Sequence, residues 1–263
     1  MKRIQFTVGG KHDLLLPVRD ALIRRGYALV SWDAVDPDFP VFMLWGADSP
    51  LLWARQPHLD ADTTPVLLLS SSAVYNDRDV HLQFRGPELM DEAHGHVITS
   101  PLDPKATSAL VNLLAENRYL SRKGRTIVVR PFNVYGPNIN TGLVREYLTA
   151  IENAQPIKIL SPGRQVRSFL YEDDFFDASE LLVQRLIAKK RGIYNVGSSE
   201  RVELLSLAKS LCHAKNVDEC VELVVPTQRF SWHKVPSTAR IEVEFKGKWA
   251  PISLRSGLFR MLS

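Results

Sequence analysis

The stretch 126-TIVVRPFNVYGP-137 is a short apolar run that leads into a turn. Thr126 to Arg130 is rich in β-branched residues and is predicted to be a strand. Tyr135, Gly136 and Pro137 then favour a turn, because glycine and proline suit tight backbone conformations. Val41 to Trp45 and Val66 to Ser70 are short apolar runs of the type that is buried on both faces of a sheet, which favours a parallel sheet covered by helices.

Similar runs alternate with helical patterns along the whole chain. This alternation predicts an α/β fold with a Rossmann-like, doubly wound parallel sheet. The predicted strands are Arg3 to Val8, Ala28 to Trp32, Val41 to Trp45, Val66 to Ser70, Thr126 to Arg130, Ile157 to Leu160, Gly192 to Val196 and Val221 to Val225. The predicted helices are Leu14 to Arg25, Ser108 to Tyr119, Leu143 to Asn153, Asp174 to Lys189, one beyond Leu204 and a small one at the C-terminus. The polar segment Asn76 to Ser100 is predicted to be a surface loop.

The composition is that of an ordinary globular chain, with 45% hydrophobic and 24% charged residues and a formal charge of +4. No Lys/Arg block is long enough to predict a nucleic-acid partner, and no apolar run has membrane-spanning length. Cys212 and Cys220 favour a reducing compartment, and with His213 they lack the paired spacing of a zinc site. We therefore expect a cytoplasmic protein without a metal or a membrane.

Four stretches together carry a family pattern, and they are 68-LLSSSAVYND-77, 130-RPFNVYGP-137, 163-GRQVRSFLYEDD-174 and 193-IYNVGSSERVELLSLA-208. In this order and spacing, the chain resembles the extended short-chain dehydrogenase/reductase superfamily, in its NAD-dependent nucleotide-sugar epimerase/dehydratase branch. The C-terminal 249-WAPISLRSGL-258 is similar to the family's ending. The resemblance is strong from Ser70 onward and weak before it.

The resemblance implies a nucleotide-diphosphate sugar as the ligand, whose pyrophosphate needs cationic and amide donors. Arg167 lies where the family has a diphosphate-contacting arginine, and Asn133 matches the family's asparagine in the same pocket. Arg229 is a looser match to a second arginine. The alternatives remain that Arg167 pairs with an acid at 173 or 174 and that Asn133 caps a turn.

The dinucleotide fingerprint of the family is only partly present in 7-TVGGKHDLLLPV-18. A Rossmann turn needs glycines so that the backbone can approach the cofactor pyrophosphate at a helix N-terminus. Gly9 matches the first glycine and Gly10 is a spacer, whereas His12 and Leu15 occupy the other two glycine positions. The resemblance makes NAD(P) possible as a cofactor, and these substitutions put its binding in doubt.

Asp33 ends the second predicted strand and matches the acid that holds the adenosine ribose in the family, although a turn-capping role is equally compatible. Between Asp33 and Ser70 the family fits a third strand and its helix, for which this chain has no sequence. We therefore predict a sheet truncated near its third strand. The predicted division is a Rossmann-like domain over 1–135 and a mostly substrate-binding C-terminal lobe over 136–263, with 174–190 and 192–196 as segments that could return to the first domain.

The family's catalytic trio is a Ser or Thr, a Tyr and a Lys, in which lysine lowers the pKa of the basic tyrosinate. Ser71, with Ser72 beside it, matches the hydroxyl position. The tyrosine and lysine positions fall on Leu102 and Ala106. Other titratable or cationic residues close to that position in the sequence are His94, His96 and Lys105.

These observations predict a protein that binds a nucleotide-diphosphate sugar without the usual redox activity, that is, a pseudoenzyme. Three alternatives stay open. One is an active NAD-dependent epimerase or dehydratase with atypical residues. A second is non-redox chemistry on a sugar nucleotide that uses His94, His96 or Lys105. The third is a structural or regulatory partner subunit of an active paralogue, because the family commonly dimerises; a homodimer or such a heterodimer is therefore expected.

Overall fold

The computed structural model describes residues 4–31, 33–36, 38–47, 63–75, 89–92, 104–226 and 233–263. The strands in these ranges are β1 (Gln5–Lys11), β2 (Ala28–Leu29), β3 (Val41–Ala47), β4 (Val66–Leu69), β5 (Thr126–Pro131), β6 (Val134–Tyr135), β7 (Ile157–Leu160), β8 (Val166–Arg167), β9 (Leu170–Tyr171), β10 (Gly192–Val196), β11 (Val202–Glu203), β12 (Val221–Val224) and β13 (His233–Lys234). The helices are α1 (Leu15–Arg24), α2 (Pro104–Leu120), α3 (Leu143–Glu152), α4 (Glu172–Ile187), α5 (Leu204–Ala214), α6 (Ala239–Glu244) and α7 (Leu254–Leu262), with a 3-10 turn at Ser72–Tyr75.

The central sheet has six strands in the order β10-β5-β4-β3-β1-β2, and its strands are parallel. The prediction of an α/β, doubly wound parallel sheet is confirmed. β3 pairs directly with β1, and among the described residues no strand pairs with the outer edge of β2. Parallel strands need crossover connections, so helices cover both faces of this sheet.

The first strand is longer than the sequence predicted. Its pairing with β3 continues past Val8, with Gly9 opposite Trp45, Gly10 opposite Gly46 and Lys11 opposite Ala47. The prediction ended at Val8 because glycine has little intrinsic preference for strands. The partner strand supplies the hydrogen bonds that the local sequence does not indicate.

Two apolar clusters lie on opposite faces of the sheet. The larger packs α1 and α4 against one face, with Phe6, Phe42, Leu44, Leu67 and Val129 on the strand side. The smaller packs α2 against the other face and contains Trp45, Val66, Leu68, Ala115 and Tyr119. Alternate residues of β3 therefore enter different clusters, as the two-residue period of a strand requires.

A third apolar cluster surrounds the paired strands β7 and β12 and joins α3, α5 and α7. Next to it, β8 lies between β11 and β13 in a small three-stranded sheet. The division into domains at residue 135 stays a prediction. None of the helices in the described ranges is both long enough and apolar enough to cross a membrane.

Candidate functional site

Ser71 lies at the carboxyl edge of the central sheet, immediately after β4. Its hydroxyl oxygen accepts a hydrogen bond of 3.1 Å from the backbone N–H of Ala73 and so caps the 3-10 turn. A serine hydroxyl has one proton and two acceptor positions, so this bond uses one acceptor position. Ser71 is half-buried and Ser72 is buried. The proposed sugar-orienting role of Ser71 stays a prediction.

Asn133 follows β5 at the same edge of the sheet. Its backbone has a positive φ of 39°, a conformation that asparagine tolerates better than most residues. Its side-chain amide donates to the carbonyl oxygen of Ser168 at 2.8 Å. This bond holds the β5 end against the residue that follows Arg167. One amide hydrogen of Asn133 therefore has a structural partner, and the phosphate-binding role stays a prediction.

Arg167 is half-buried on β8, the central strand of the small three-stranded sheet. The parallel register of β8 and β13 pairs Arg167 with Lys234. Paired residues on adjacent strands have their side chains on the same face, about 5 Å apart at the backbone. The fold thus brings two cationic residues together that are distant in sequence, and the sequence reasoning missed Lys234.

Tyr147 of α3 lies within electrostatic range of Arg167. Burial raises the pKa of Tyr147 to about 12, the nearby Glu146 carboxylate adds to the rise, and Arg167 opposes it. The phenol is therefore protonated at neutral pH and available as a hydrogen-bond donor. No sequence motif pointed to this residue.

The turn between β1 and α1 is closed by His12. The Nδ1 atom of His12 accepts from the backbone N–H of Leu14 at 3.0 Å, and its carbonyl oxygen accepts from the N–H of Leu15 at 3.0 Å. Because Nδ1 is an acceptor, the imidazole proton lies on Nε2, which donates to the carbonyl oxygen of Ser70 at 2.9 Å. His12 therefore connects the carboxyl ends of β1 and β4.

Gly9 and Gly10 have a packing role in this structure. A Cβ atom at position 9 would collide with the six-membered ring of Trp45, and one at position 10 would meet the carbonyl oxygen of Gly46. Gly10 also has a positive φ of 76°. The two glycines therefore permit the close approach of β3 and of the buried Trp45 ring. Their predicted contact with a cofactor is untested.

A buried polar network lies beneath the Ser71 segment and was not predicted. The carboxylate of Glu116 accepts from Arg130 Nε at 2.9 Å and from Arg130 Nη2 at 2.6 Å. It also accepts from the hydroxyl of Ser70 at 2.5 Å. Arg130 Nη1 donates to the hydroxyl of Tyr75 at 2.6 Å. Each side chain in this network is at least nine-tenths buried.

Several predicted residues fall outside what the structure describes. They are Leu102, Arg229, His94 and His96. Lys105 and Ala106 lie in α2, whose described side chains begin after them. Asp33 lies in an exposed turn after β2, closed by a hydrogen bond from Ala34 to Ser31.

Two cavities in the described part of the chain lie away from these residues. One of about 840 Å³ lies between α5 and α7 and includes Ser206, His213, Leu258 and Phe259. Another of about 290 Å³ lies between α1 and residues 138–141. Neither of these two cavities is lined by Ser71, Asn133 or Arg167.

The sequence profile of the NAD dependent epimerase/dehydratase family matches residues 54–197, which is more than half of the chain. The chain therefore belongs to the NAD dependent epimerase/dehydratase family. This confirms the resemblance from which the site residues were predicted.

Two curated relatives illustrate the sequence similarity. UDP-glucuronic acid decarboxylase 3 of Arabidopsis thaliana is 28% identical over 201 residues, covering 73% of this chain and 55% of that protein. dTDP-D-glucose 4,6-dehydratase of Dictyostelium discoideum is 26% identical over 116 residues, covering 43% of this chain and 26% of that protein. The match thus spans about half, or less, of the length of each relative.

Solved structures share the fold over nearly the whole chain. A dTDP-glucose 4,6-dehydratase from Bacillus anthracis in complex with NAD has a TM-score of 0.70 at 15% identity, covering 99% of this chain and 95% of that one. A UDP-glucuronic acid 4-epimerase from Bacillus cereus in complex with UDP-glucuronic acid and NAD has a TM-score of 0.68 at 16% identity, covering 99% and 98%. At these identities the likeness establishes the fold alone.

Proposed function

We propose that this protein binds a nucleotide-diphosphate sugar and does not carry out the hydride transfer of its relatives. The observation that carries the proposal is the closed turn between β1 and α1. The Leu14 and Leu15 amides are satisfied by His12, and Pro17, in the first turn of α1, has no N–H to offer. A helix N-terminus binds phosphate through N–H groups at these positions.

The packing of Trp45 also supports the absence of a bound dinucleotide. Its ring covers Gly9 and is only 2% exposed, so the backbone of β1 is shielded where a Rossmann fold lets a pyrophosphate approach. As arranged, His12 and Trp45 do not fit a dinucleotide diphosphate. The predicted loss of the Tyr and Lys at 102 and 106 agrees with a protein that has no bound nicotinamide to use.

The ligand side of the proposal rests on charge and chemistry. Arg167 and Lys234 on one face of the small sheet suit a diphosphate, since a guanidinium can bind two phosphate oxygens at once. Asn133 lies beside this strand through its bond to Ser168. The Ser71 hydroxyl at the sheet edge would then meet the sugar. The named ligands of the relatives, UDP- and dTDP-sugars, are the natural probes.

The test compares ligand classes by thermal unfolding and isothermal titration calorimetry. A ligand at about 100 times its dissociation constant adds about 2.7 kcal/mol of stability. We expect UDP- or dTDP-sugars to raise the melting temperature and NAD to leave it unchanged. Stabilisation by NAD at comparable concentration would overturn the proposal, because it would require an open dinucleotide turn.

A pair of matched arginine variants locates the diphosphate. Arg167→Ala should weaken sugar-nucleotide binding by roughly tenfold or more, because hydrogen bonds to charged groups contribute about 1.5–3 kcal/mol. Arg164→Ala is the control, since Arg164 is an exposed arginine in the same turn-and-strand segment. Equal affinities for the two variants would place the diphosphate elsewhere.

A second candidate function is that of a partner subunit. α2 exposes Leu110 (41%) and Leu114 (55%), which lie one helical turn apart on one face. Exposed apolar pairs of this kind favour a protein–protein contact. Sedimentation of the wild type and of Leu110→Lys would test it, with loss of an oligomer as the supporting result.

A further inference from the structure

Tyr75 lies at the centre of the buried network, apart from the site residues Ser71, Asn133 and Arg167. Its hydroxyl accepts from Arg130 Nη1 at 2.6 Å and donates to Asn195 Oδ1 at 2.9 Å. The Arg130 guanidinium also lies 5.1 Å from the centre of the Tyr75 ring. Burial raises the pKa of Tyr75, so the hydroxyl retains its proton at neutral pH and both bonds persist.

One branch of the network holds the segment that carries Ser71. Tyr75 is bound to Arg130 directly, and Ser70 is bound to it through the Glu116 carboxylate. Ser71 lies between these two attachment points. Its position relative to β5 therefore depends on both ends of the segment being held by the same guanidinium.

The other branch reaches the cationic pair. The side-chain amide of Asn195 donates to the carbonyl oxygen of Met90 at 2.7 Å. The backbone N–H of Met90 donates in turn to the carbonyl oxygen of Val235 at 2.8 Å. Val235 directly follows Lys234, which is paired with Arg167. A continuous chain of buried contacts thus connects the Ser71 segment with the β8–β13 pair.

We propose that Tyr75 is a positioning residue that sets the spacing between the Ser71 hydroxyl and the Arg167–Lys234 pair. This inference rests on the proposed function, because the sugar and the diphosphate of one ligand are joined at a fixed distance. A ligand that contacts both ends of the site depends on that spacing, whereas a ligand that contacts only the cationic end does not. Tyr75 is only 1% exposed, so it acts on the ligand through these contacts.

The experiment compares UDP-glucose with UDP, and dTDP-glucose with dTDP, by isothermal titration calorimetry. Tyr75→Phe should weaken the binding of the sugar nucleotide by roughly tenfold. A change of this size corresponds to the loss of about one buried hydrogen bond. Binding of the free diphosphate should change by less than about twofold. The matched control is Tyr135→Phe. This variant removes a buried hydroxyl that donates to the carbonyl oxygen of Leu254 at 3.2 Å, in the apolar cluster around β7 and β12.

A double-variant cycle separates positioning from general loss of stability. In a Ser71→Ala background, Tyr75→Phe should no longer change the ratio of the affinity for the sugar nucleotide to the affinity for the free diphosphate. The reason is that the Ser71 hydroxyl, which Tyr75 positions, has been removed. Equal weakening of both ligands, or an unchanged ratio in the single variant, would overturn the inference. The free energy of unfolding, measured in parallel, reports any purely structural effect.

A ligand-independent measurement decides the case in which the wild type binds none of these nucleotides. That result would end the proposed function. Hydrogen exchange would still test Tyr75: its replacement by Phe should accelerate exchange at the Ala73 and Met90 amides, whose partners depend on the network, while Tyr135→Phe should not. Unchanged exchange at both amides would refute the positioning role.

Discussion

Replacing Glu116 by Gln tests how strongly the buried ion pair with Arg130 supports the fold. The two side chains are 4% and 2% exposed, and the carboxylate accepts three hydrogen bonds, two from Arg130 and one from Ser70. A carboxamide has only one acceptor oxygen and presents donors where the second oxygen was. In the variant, at least one donor of the network therefore faces another donor, and the guanidinium charge has no buried counter-charge.

The expected loss is large compared with the stability of a typical domain. Removing one partner of a buried ion pair costs about 3–5 kcal/mol. Native proteins have a free energy of unfolding of about 5–15 kcal/mol, so this variant should lose roughly a fifth or more of it. At this chain length, about 1 kcal/mol shifts the melting temperature by roughly 2–4 °C, which predicts a decrease of roughly 6–20 °C.

Urea unfolding followed by circular dichroism measures the effect. Glu146→Gln is the matched control, because Glu146 is exposed on α3 and should change stability by less than about 0.5 kcal/mol. A second substitution, Arg130→Met, should recover part of the loss in the Glu116→Gln background by removing the uncompensated charge. A loss below about 1 kcal/mol in Glu116→Gln alone would contradict this prediction, because it would mean that the ion pair is accessible to water.

Three further predictions concern the closed turn and a buried acid. Gly9→Ala should destabilise the protein by roughly 1–3 kcal/mol through overpacking against the Trp45 ring, and Trp45→Leu should relieve part of that cost in a urea titration of the double variant. His12→Ala should cost about 1–2 kcal/mol, because the Leu14 N–H loses its side-chain partner, and an unchanged urea midpoint would contradict this. Burial raises the pKa of Glu172 above its ordinary value of 4.5, so its folded-state pKa exceeds the unfolded one and its ionisation opposes folding. The stability of the wild type relative to Glu172→Gln should therefore be greatest near pH 4 and decline as the pH rises through the folded pKa; a rising difference would contradict the assignment.

The secondary structure was largely predictable because the periodicity of apolar residues along the sequence indicates where strands and helices form. The strands at 41–47, 66–69, 126–131 and 192–196 are apolar runs short enough to be read as buried strands, and the sheet confirms them. The family followed from motifs with a fixed order. These signals are local, so each can be read before any tertiary contact is known.

The site was predictable only in part. Ser71, Asn133 and Arg167 were named from motifs, and the fold brings Asn133 against the strand that carries Arg167. Lys234 could not be found in this way, because its pairing with Arg167 depends on the register of two short strands that are far apart in the chain. A two-residue strand has no periodicity to reveal it.

The amino-acid pattern alone identifies an α/β chain of a nucleotide-sugar family whose dinucleotide glycines are incomplete. It does not reveal which side chains lie where the other family members have glycine-lined space. The folded sheet shows that Gly9 accommodates the Trp45 ring and that His12 joins the ends of β1 and β4. A missing glycine is a local property, whereas the side chain that fills the space comes from a neighbouring strand whose position depends on the whole sheet.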